Sequence, residues 1–294
     1  MAGPCTGGDA AWAQNRGVYP LGMNATNSGV TAGPGFTYSN LFILYARDES
    51  KGPEGELLVT GSNSVLMDMN SFIWVSRKEI LGATYSASAT LPIANNSLAS
   101  DATGAISGGG GFADSYYQPV ILGWRTERLG VRAIYGFLAP TGRFEAGAPD
   151  NVGSGYWTHV LASGQTFYLT RDKRTAVSAF EMYEFHTTQE STGIQPGQTI
   201  NLDYSVTRML PLNEDMSLQV GVVGYAQRQT TDKSGPGITP DQAEAHYAVN
   251  ALGFAGNLSF PARRVGLGLK YYKEFSNRST FQGYSLQISG SVAF

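Results

Sequence analysis

The chain has 294 residues, 15% charged and 42% hydrophobic, with 37 Gly, 16 Tyr, 14 Phe, one Cys and a formal net charge of -3. Its 20 Lys and Arg leave no basic footprint for nucleic acid, its apolar and aromatic content is too high for an unfolded chain, and a single cysteine excludes a disulfide framework or a multi-thiolate zinc site. No uninterrupted apolar run approaches the roughly 18 residues of a membrane-spanning helix.

The leading stretch, residues 1–33, mixes Gly, Ala, Asn and Thr with Trp12, Tyr19 and Leu21 and shows no strand pattern. It lacks a charged start followed by an apolar core, so no signal peptide is read, and Cys5 is read as an incidental thiol. The segment is expected on the periplasmic side of the first strand, either as an unordered tail or as a plug in the mouth of the fold that follows.

From residue 34 onward the two-residue alternation of a β-strand takes over. Strands are predicted over 35–48, 58–76, 79–93, 113–126, 130–144, 154–170, 174–188, 197–210, 214–230, 244–260, 264–275 and 278–294. Leu81, Ala83, Tyr85, Ala87 and Ala89 alternate with small polar residues, as do Ile200, Leu202, Tyr204 and Val206, then Met216, Leu218, Val220 and Val222. The last run places Tyr284, Leu286, Ile288, Val292 and Phe294 on one face. No segment sustains a helical period. Most of these strands reach the roughly 9 to 11 residues needed to cross a bilayer at a tilt.

The predicted connections fall into two classes. Arg77-Lys78, Glu127-Arg128-Leu129, Arg171-Asp172-Lys173, Pro211-Leu212-Asn213 and Pro261-Ala262-Arg263 are tight turns. Residues 49–57, 94–112, 145–153, 189–196 and 231–243 are longer loops, and only Ser276-Asn277 is short where the alternation requires length. Short turns on one rim and long loops on the other belong to an outer-membrane barrel. Hydrocarbon offers no partner to a backbone N–H or C=O, so a sheet spans it only as a closed ring. A soluble sandwich would also alternate, but with shorter strands and more Lys and Glu on its outer face. The expected fold is therefore all-β, a closed antiparallel transmembrane barrel of about twelve strands over residues 34–294, with both termini on the periplasmic rim and aromatic girdles that include Trp124, Trp157, Tyr272, Phe275 and Phe294.

Register assigns Asp68, Asn70, Asn201, Asp203, Lys270 and Glu274 to the lumen as polar wall. Several strands are apolar on both faces, which adds Phe42, Leu44, Phe72, Trp74, Phe180 and Met182 as candidate lumen residues forming an apolar constriction. The C-terminal strand ending at Phe294 resembles the signature read by the outer-membrane assembly machinery. Expected partners are the bilayer with its lipopolysaccharide and small hydrophobic solutes.

Pro34-Gly35-Phe36 with Tyr38, Phe112-Ala113-Asp114 leading to Pro119 and Trp124, Ala139-Pro140-Thr141-Gly142 and Asn151-Val152-Gly153-Ser154-Gly155 resemble the meta-pathway-of-phenol-degradation-like outer-membrane proteins of bacteria. The resemblance spans most of residues 30–294. It implies a channel taking up small, poorly water-soluble molecules. Catalytic signals are weak by comparison. His159, His186 and His246 have no metal-ligand spacing, Glu181 and Glu184 point to opposite strand faces, and phosphate-binding glycine motifs are absent. No cofactor and no enzymatic activity are expected. A general small porin and an outer-membrane hydrolase of phospholipase type, in which His186 or His159 meets a serine, stand as alternatives to a narrow, partly apolar channel. A purely structural barrel and a soluble β-protein also remain open.

Overall fold

The computed structural model describes residues 16–100, 104–148 and 151–294. Cys5 and Trp12 lie outside the described residues. The strands are β1 (Gly35–Lys51), β2 (Leu57–Ile80), β3 (Ala83–Ser100), β4 (Gly104–Phe112), β5 (Ser115–Arg125), β6 (Leu129–Ala139) and β7 (Thr158–Tyr168), followed by β8 (Thr175–His186), β9 (Thr199–Pro211), β10 (Ser217–Gln229), β11 (Ala248–Phe260), β12 (Val265–Glu274) and β13 (Thr280–Ala293). Every strand pairs antiparallel with its neighbours in sequence except β4 and β5, which both pair with β3, and β1 pairs with both β2 and β13, which closes the sheet. β5 pairs with the first half of β3 and β4 with the second, so these two strands are successive parts of one stave. The result is a 12-stave closed barrel.

β9 shows why this barrel does not behave like a soluble sandwich. Thr199, Asn201, Asp203, Ser205 and Thr207 are buried, whereas Ile200, Leu202 and Val206 are exposed. Polar residues face in and apolar residues face out. That inversion is stable only where the outer solvent is hydrocarbon. The neighbouring staves repeat it: Val222, Leu252, Phe254, Leu267, Leu269 and Ile288 stand on the outer face, with Phe254 70% exposed.

Three local features differ from the expectation. The turn between β2 and β3 is Leu81-Gly82, not Arg77-Lys78, and both residues have positive φ (54° and 71°), the backbone of a two-residue hairpin turn that follows the twist of the strands. Residues 94–112 are not a loop, because β3 runs on to Ser100 and β4 returns from Gly104. The connection after β10 contains one helical turn, Pro240–Glu244, closed by a capping box in which Thr239 and Gln242 exchange hydrogen bonds.

Candidate functional site

Residues 16–31 run inside the barrel, and the exposed residues 32–34 lead to β1. Arg16 lies beside the long-loop ends of β12 and β13, where its guanidinium donates to both carboxylate oxygens of Glu274 (2.9 and 3.2 Å), to Thr280 Oγ1 and to the Phe281 carbonyl. Burial works against the Arg16 cation, but its surroundings, the facing Glu274 carboxylate foremost, together hold the guanidinium protonated beyond its ordinary range. Next along the chain, the Val18 and Tyr19 amides donate to Glu184 (2.8 and 3.2 Å). Asp203 then accepts from Tyr19 Oη (2.6 Å), the Gly22 amide (2.9 Å) and the Asn24 amide (3.1 Å). Lys270 Nζ caps the carbonyls of Gly22 (2.9 Å) and Met23 (2.7 Å), and Gln287 donates to Leu21 O (2.8 Å).

At the short-turn end the segment presses onto the wall. Ser28 O accepts from Arg132 Nε (2.5 Å) and Gly29 N donates to Thr166 Oγ1 (3.0 Å). A Cβ on Gly130 would stand 2.6 Å from Gly29 O, and one on Gly164 would collide with Ser28 O. Glycine is required at both positions because backbone approaches backbone there.

The polar tether lies on the wall from β6 to β13. Between the segment and β1 to β3 there is open space in two adjoining lobes. One, about 270 Å³, lies toward Ile43, Tyr45, Val65, Met67 and Tyr225. The other, about 410 Å³, lies against Met67, Met69, Tyr116, Leu138, Phe144 and Met182. Tyr19 joins this apolar lining, stacked on Phe180 at 5.6 Å. Unbranched, polarizable methionines suit a surface that receives apolar solutes of varied shape.

Six of the twelve lumen candidates are inside the barrel: Phe180, Met182, Asn201, Asp203, Lys270 and Glu274. The other six are not. Phe42, Leu44, Asp68, Asn70, Phe72 and Trp74 share the outer face of β1 and β2, as their register shows: Phe42 pairs with Asp68 and with Ile288, Leu44 with Leu66 and Leu286. Phe42, Phe72 and Trp74 are exposed there, while the alternate residues Ile43, Met69 and Val75 are buried inward. The polar members are reconciled with that face by pairing among themselves. Asn40 Nδ2 donates to Asp68, and Tyr38 Oη donates to Asn70 Oδ1 (2.6 Å). Of the predicted girdle aromatics, Tyr272 instead faces inward, fully buried, and donates to Gly22 O (2.9 Å).

The histidines do not form a hydrolase site with serine. His159 Nδ1 meets Tyr135 Oη (3.1 Å), and His246 meets Asp232 in a loop (2.7 Å). His186 lies between Thr158 Oγ1 (2.8 Å) and Glu184 Oε2 (3.3 Å), a hydroxyl–imidazole–carboxylate chain whose members are all buried. None of the three lines either lobe. Among the described residues no group of three or more His, Cys, Asp and Glu could hold a metal ion.

The sequence matches, over residues 47–289, the family described as "Putative MetA-pathway of phenol degradation". The chain belongs to this family. Among solved structures, an outer-membrane channel from Pseudomonas putida F1 superposes with TM-score 0.74 at 14% identity, covering 91% of this chain and 98% of that one. The β domain of the Bordetella autotransporter BrkA superposes with TM-score 0.53 at 9% identity, covering 88% and 100%. At these identities the likeness concerns the fold, which is that of an outer-membrane barrel. No curated protein matches the chain by sequence. The phenol-degradation family match begins at residue 47, so the inner segment that holds Arg16 and Tyr19 lies outside it. Those two residues, with Glu184, Arg47, Met67 and Met69, are the inner-surface members that strand periodicity alone did not single out. Glu184 was the most accessible to that reasoning, being two residues beyond Met182 on the same face.

Proposed function

We propose that the protein is a channel of the bacterial outer membrane for passive uptake of small hydrophobic or aromatic molecules, in which residues 16–31 serve as a plug. The supporting observation is the division of the lumen: the segment engages much of the charged wall, and the remaining space is lined in large part by Met, Tyr, Val and Leu side chains, with Arg47, Asp114 and several amide side chains among them. Membership of the phenol-degradation family agrees with such solutes. The short-turn rim, with Phe294 N bonded to Phe36 O (2.8 Å), faces the periplasm in this reading, and lipopolysaccharide surrounds the other rim. β13, with Phe294 directly after it, is the strand the assembly machinery reads.

The test is purified protein in proteoliposomes, with toluene and arabinose uptake measured side by side. Selective toluene entry is the expected result. Arabinose entry at the same rate would indicate a general porin, and entry of neither would remove the transport reading. Deleting residues 1–33 is expected to raise single-channel conductance, and an unchanged conductance would exclude the plug.

A further inference from the structure

Arg208 stands exposed on the outer face of β9, between Val206 and Leu210, which are 52% and 37% exposed on the same face. A cation there lies at the edge of the apolar belt, where its long stem reaches toward the headgroup level. Its Nη1 donates to the hydroxyl of Thr175 (3.0 Å), the residue opposite it on β8, and among the described residues it has no ion pair. The β7–β8 turn beside it adds Arg171, Lys173 and Arg174, and Met209 N bonded to Arg174 O (2.7 Å) joins that turn to β9. Within the turn a single carboxylate, Asp172, answers these cations. It accepts from Thr170 Oγ1 (2.6 Å) and the Arg174 amide (3.1 Å), and lies 3.6 Å from Arg174 Nε. Glu214 and Asp215 in the next turn of this rim form no ion pair with Arg208. The cluster therefore keeps a positive excess beside the lipid.

An open groove on the outer wall starts at this cluster. Arg208 and Thr175 stand at one end of it, and Val206, Val220, Val222 and Phe254 line the rest. Val206 pairs with Val222 and Val222 with Phe254, so this row crosses three strands two residues farther from the short-turn rim than Arg208. We propose that Arg208 and the β7–β8 turn form a binding site for an anionic glycerophospholipid, its phosphate against the cations and an acyl chain in the groove. The choice of a glycerophospholipid rests on the reading above that the short-turn rim faces the periplasm; the site itself is independent of the transport reading. A guanidinium matches phosphate oxygens through parallel N–H donors, and the low polarity at the edge of the hydrocarbon strengthens the pair. A zwitterionic headgroup brings a second cation to the same cluster and is held less well.

The experiment titrates the purified full chain in detergent with phosphatidylglycerol, with phosphatidylcholine of the same acyl chains, or with lipid A. Retained lipid is counted by native mass spectrometry for the wild type, Arg208→Gln and Arg208→Lys, with heat-shifted gel mobility confirming a folded barrel in each. The wild type is expected to retain phosphatidylglycerol over phosphatidylcholine. Arg208→Gln is expected to lower phosphatidylglycerol affinity about tenfold, the effect of one lost charge-assisted hydrogen bond, and to leave phosphatidylcholine unchanged. Arg208→Lys, which keeps the charge, is expected to retain most of the preference. Val220→Trp, which obstructs the groove, is expected to lower retention of both lipids. Equal retention of the two lipids by the wild type, or a preference unchanged in Arg208→Gln, would overturn the site. Lipid A held more tightly than phosphatidylglycerol, and lost in Arg208→Gln, would overturn the glycerophospholipid as its occupant. The orientation is read separately: labelling of Asp215→Cys above the wild-type level by an impermeant maleimide on intact cells would overturn the periplasmic placement of the rim, whatever the lipid titration gives.

Discussion

Asp203→Ala tests whether the inner segment is held by the polar wall or merely fills space. The Asp203 carboxylate receives Tyr19 Oη, Gly22 N and Asn24 N at 2.6, 2.9 and 3.1 Å, and all three donors belong to the segment. A hydrogen bond to a charged group contributes about 1.5–3 kcal/mol net, so the three together have a gross value of about 4–9 kcal/mol. Water entering the vacated site recovers part of this, since a bridging water is nearly as good a partner as the lost oxygen. A net loss of about 3 kcal/mol is expected, which raises the released fraction of the segment about 100-fold. Hydrogen exchange of the protein in nanodiscs reads this directly: protection of the Val18, Tyr19 and Gly22 amides should fall by that factor, while protection in β9 and β10 holds. Equal exchange in mutant and wild type would refute the clamp and leave the segment as passive filler.

Three further outcomes follow from placement on the wall. Met182→Trp, which fills the larger lobe, is expected to lower toluene uptake by proteoliposomes several-fold without altering heat-shifted mobility. Val222→Arg puts a cation on the outer face of β10 and is expected to destabilise the barrel by about 2–4 kcal/mol in urea titrations from lipid vesicles, the cost of a charge near the bilayer midplane. Asp68→Asn removes a carboxylate that faces outward, so the cation-to-anion permeability ratio in planar bilayers is expected to stay unchanged, and a shift would put Asp68 back in the lumen.

The strand count, the closure of the sheet and the difference between its two rims were legible because backbone pairing and two-residue alternation act locally along every strand. Which face of a strand turns inward was legible only where the two faces differ in polarity. β9 separates Asn201 and Asp203 from Ile200 and Leu202 without ambiguity, and its inward set stands where the sequence places it. β1 and β2 do not. Their inward residues, Ile43, Met67 and Met69, are as apolar as the outward Phe42 and Phe72, because they line the open lobes and not the tethered wall. Asn40, Asp68 and Asn70 then look like a polar lumen face, and only the cross-strand bonds that satisfy them explain their outward position. Arg16 and Tyr19 were illegible for another reason. Their partners lie 258 and 184 residues away along the chain, and nothing local marks an irregular segment as the ligand of a distant wall.

The same geometry ties the solute path to the segment. Glu184, Asp203, Lys270 and Glu274 all face inward, and a barrel of this width with those groups uncovered would hold water along that wall. Docked backbone amides and carbonyls take the place of that water, which dries one side of the lumen and leaves the apolar lobes as the remaining space. On the plug reading proposed above, docked segment and apolar lumen would be one state, and released segment and wet, ion-conducting lumen the other. Ionic conductance and apolar uptake should then vary in opposite directions. In Asp203→Ala, conductance is expected to rise as toluene selectivity over arabinose falls, both measured on the same preparation. If the two rose together, the segment would be a simple obstruction, and the dryness of the lumen would owe nothing to it.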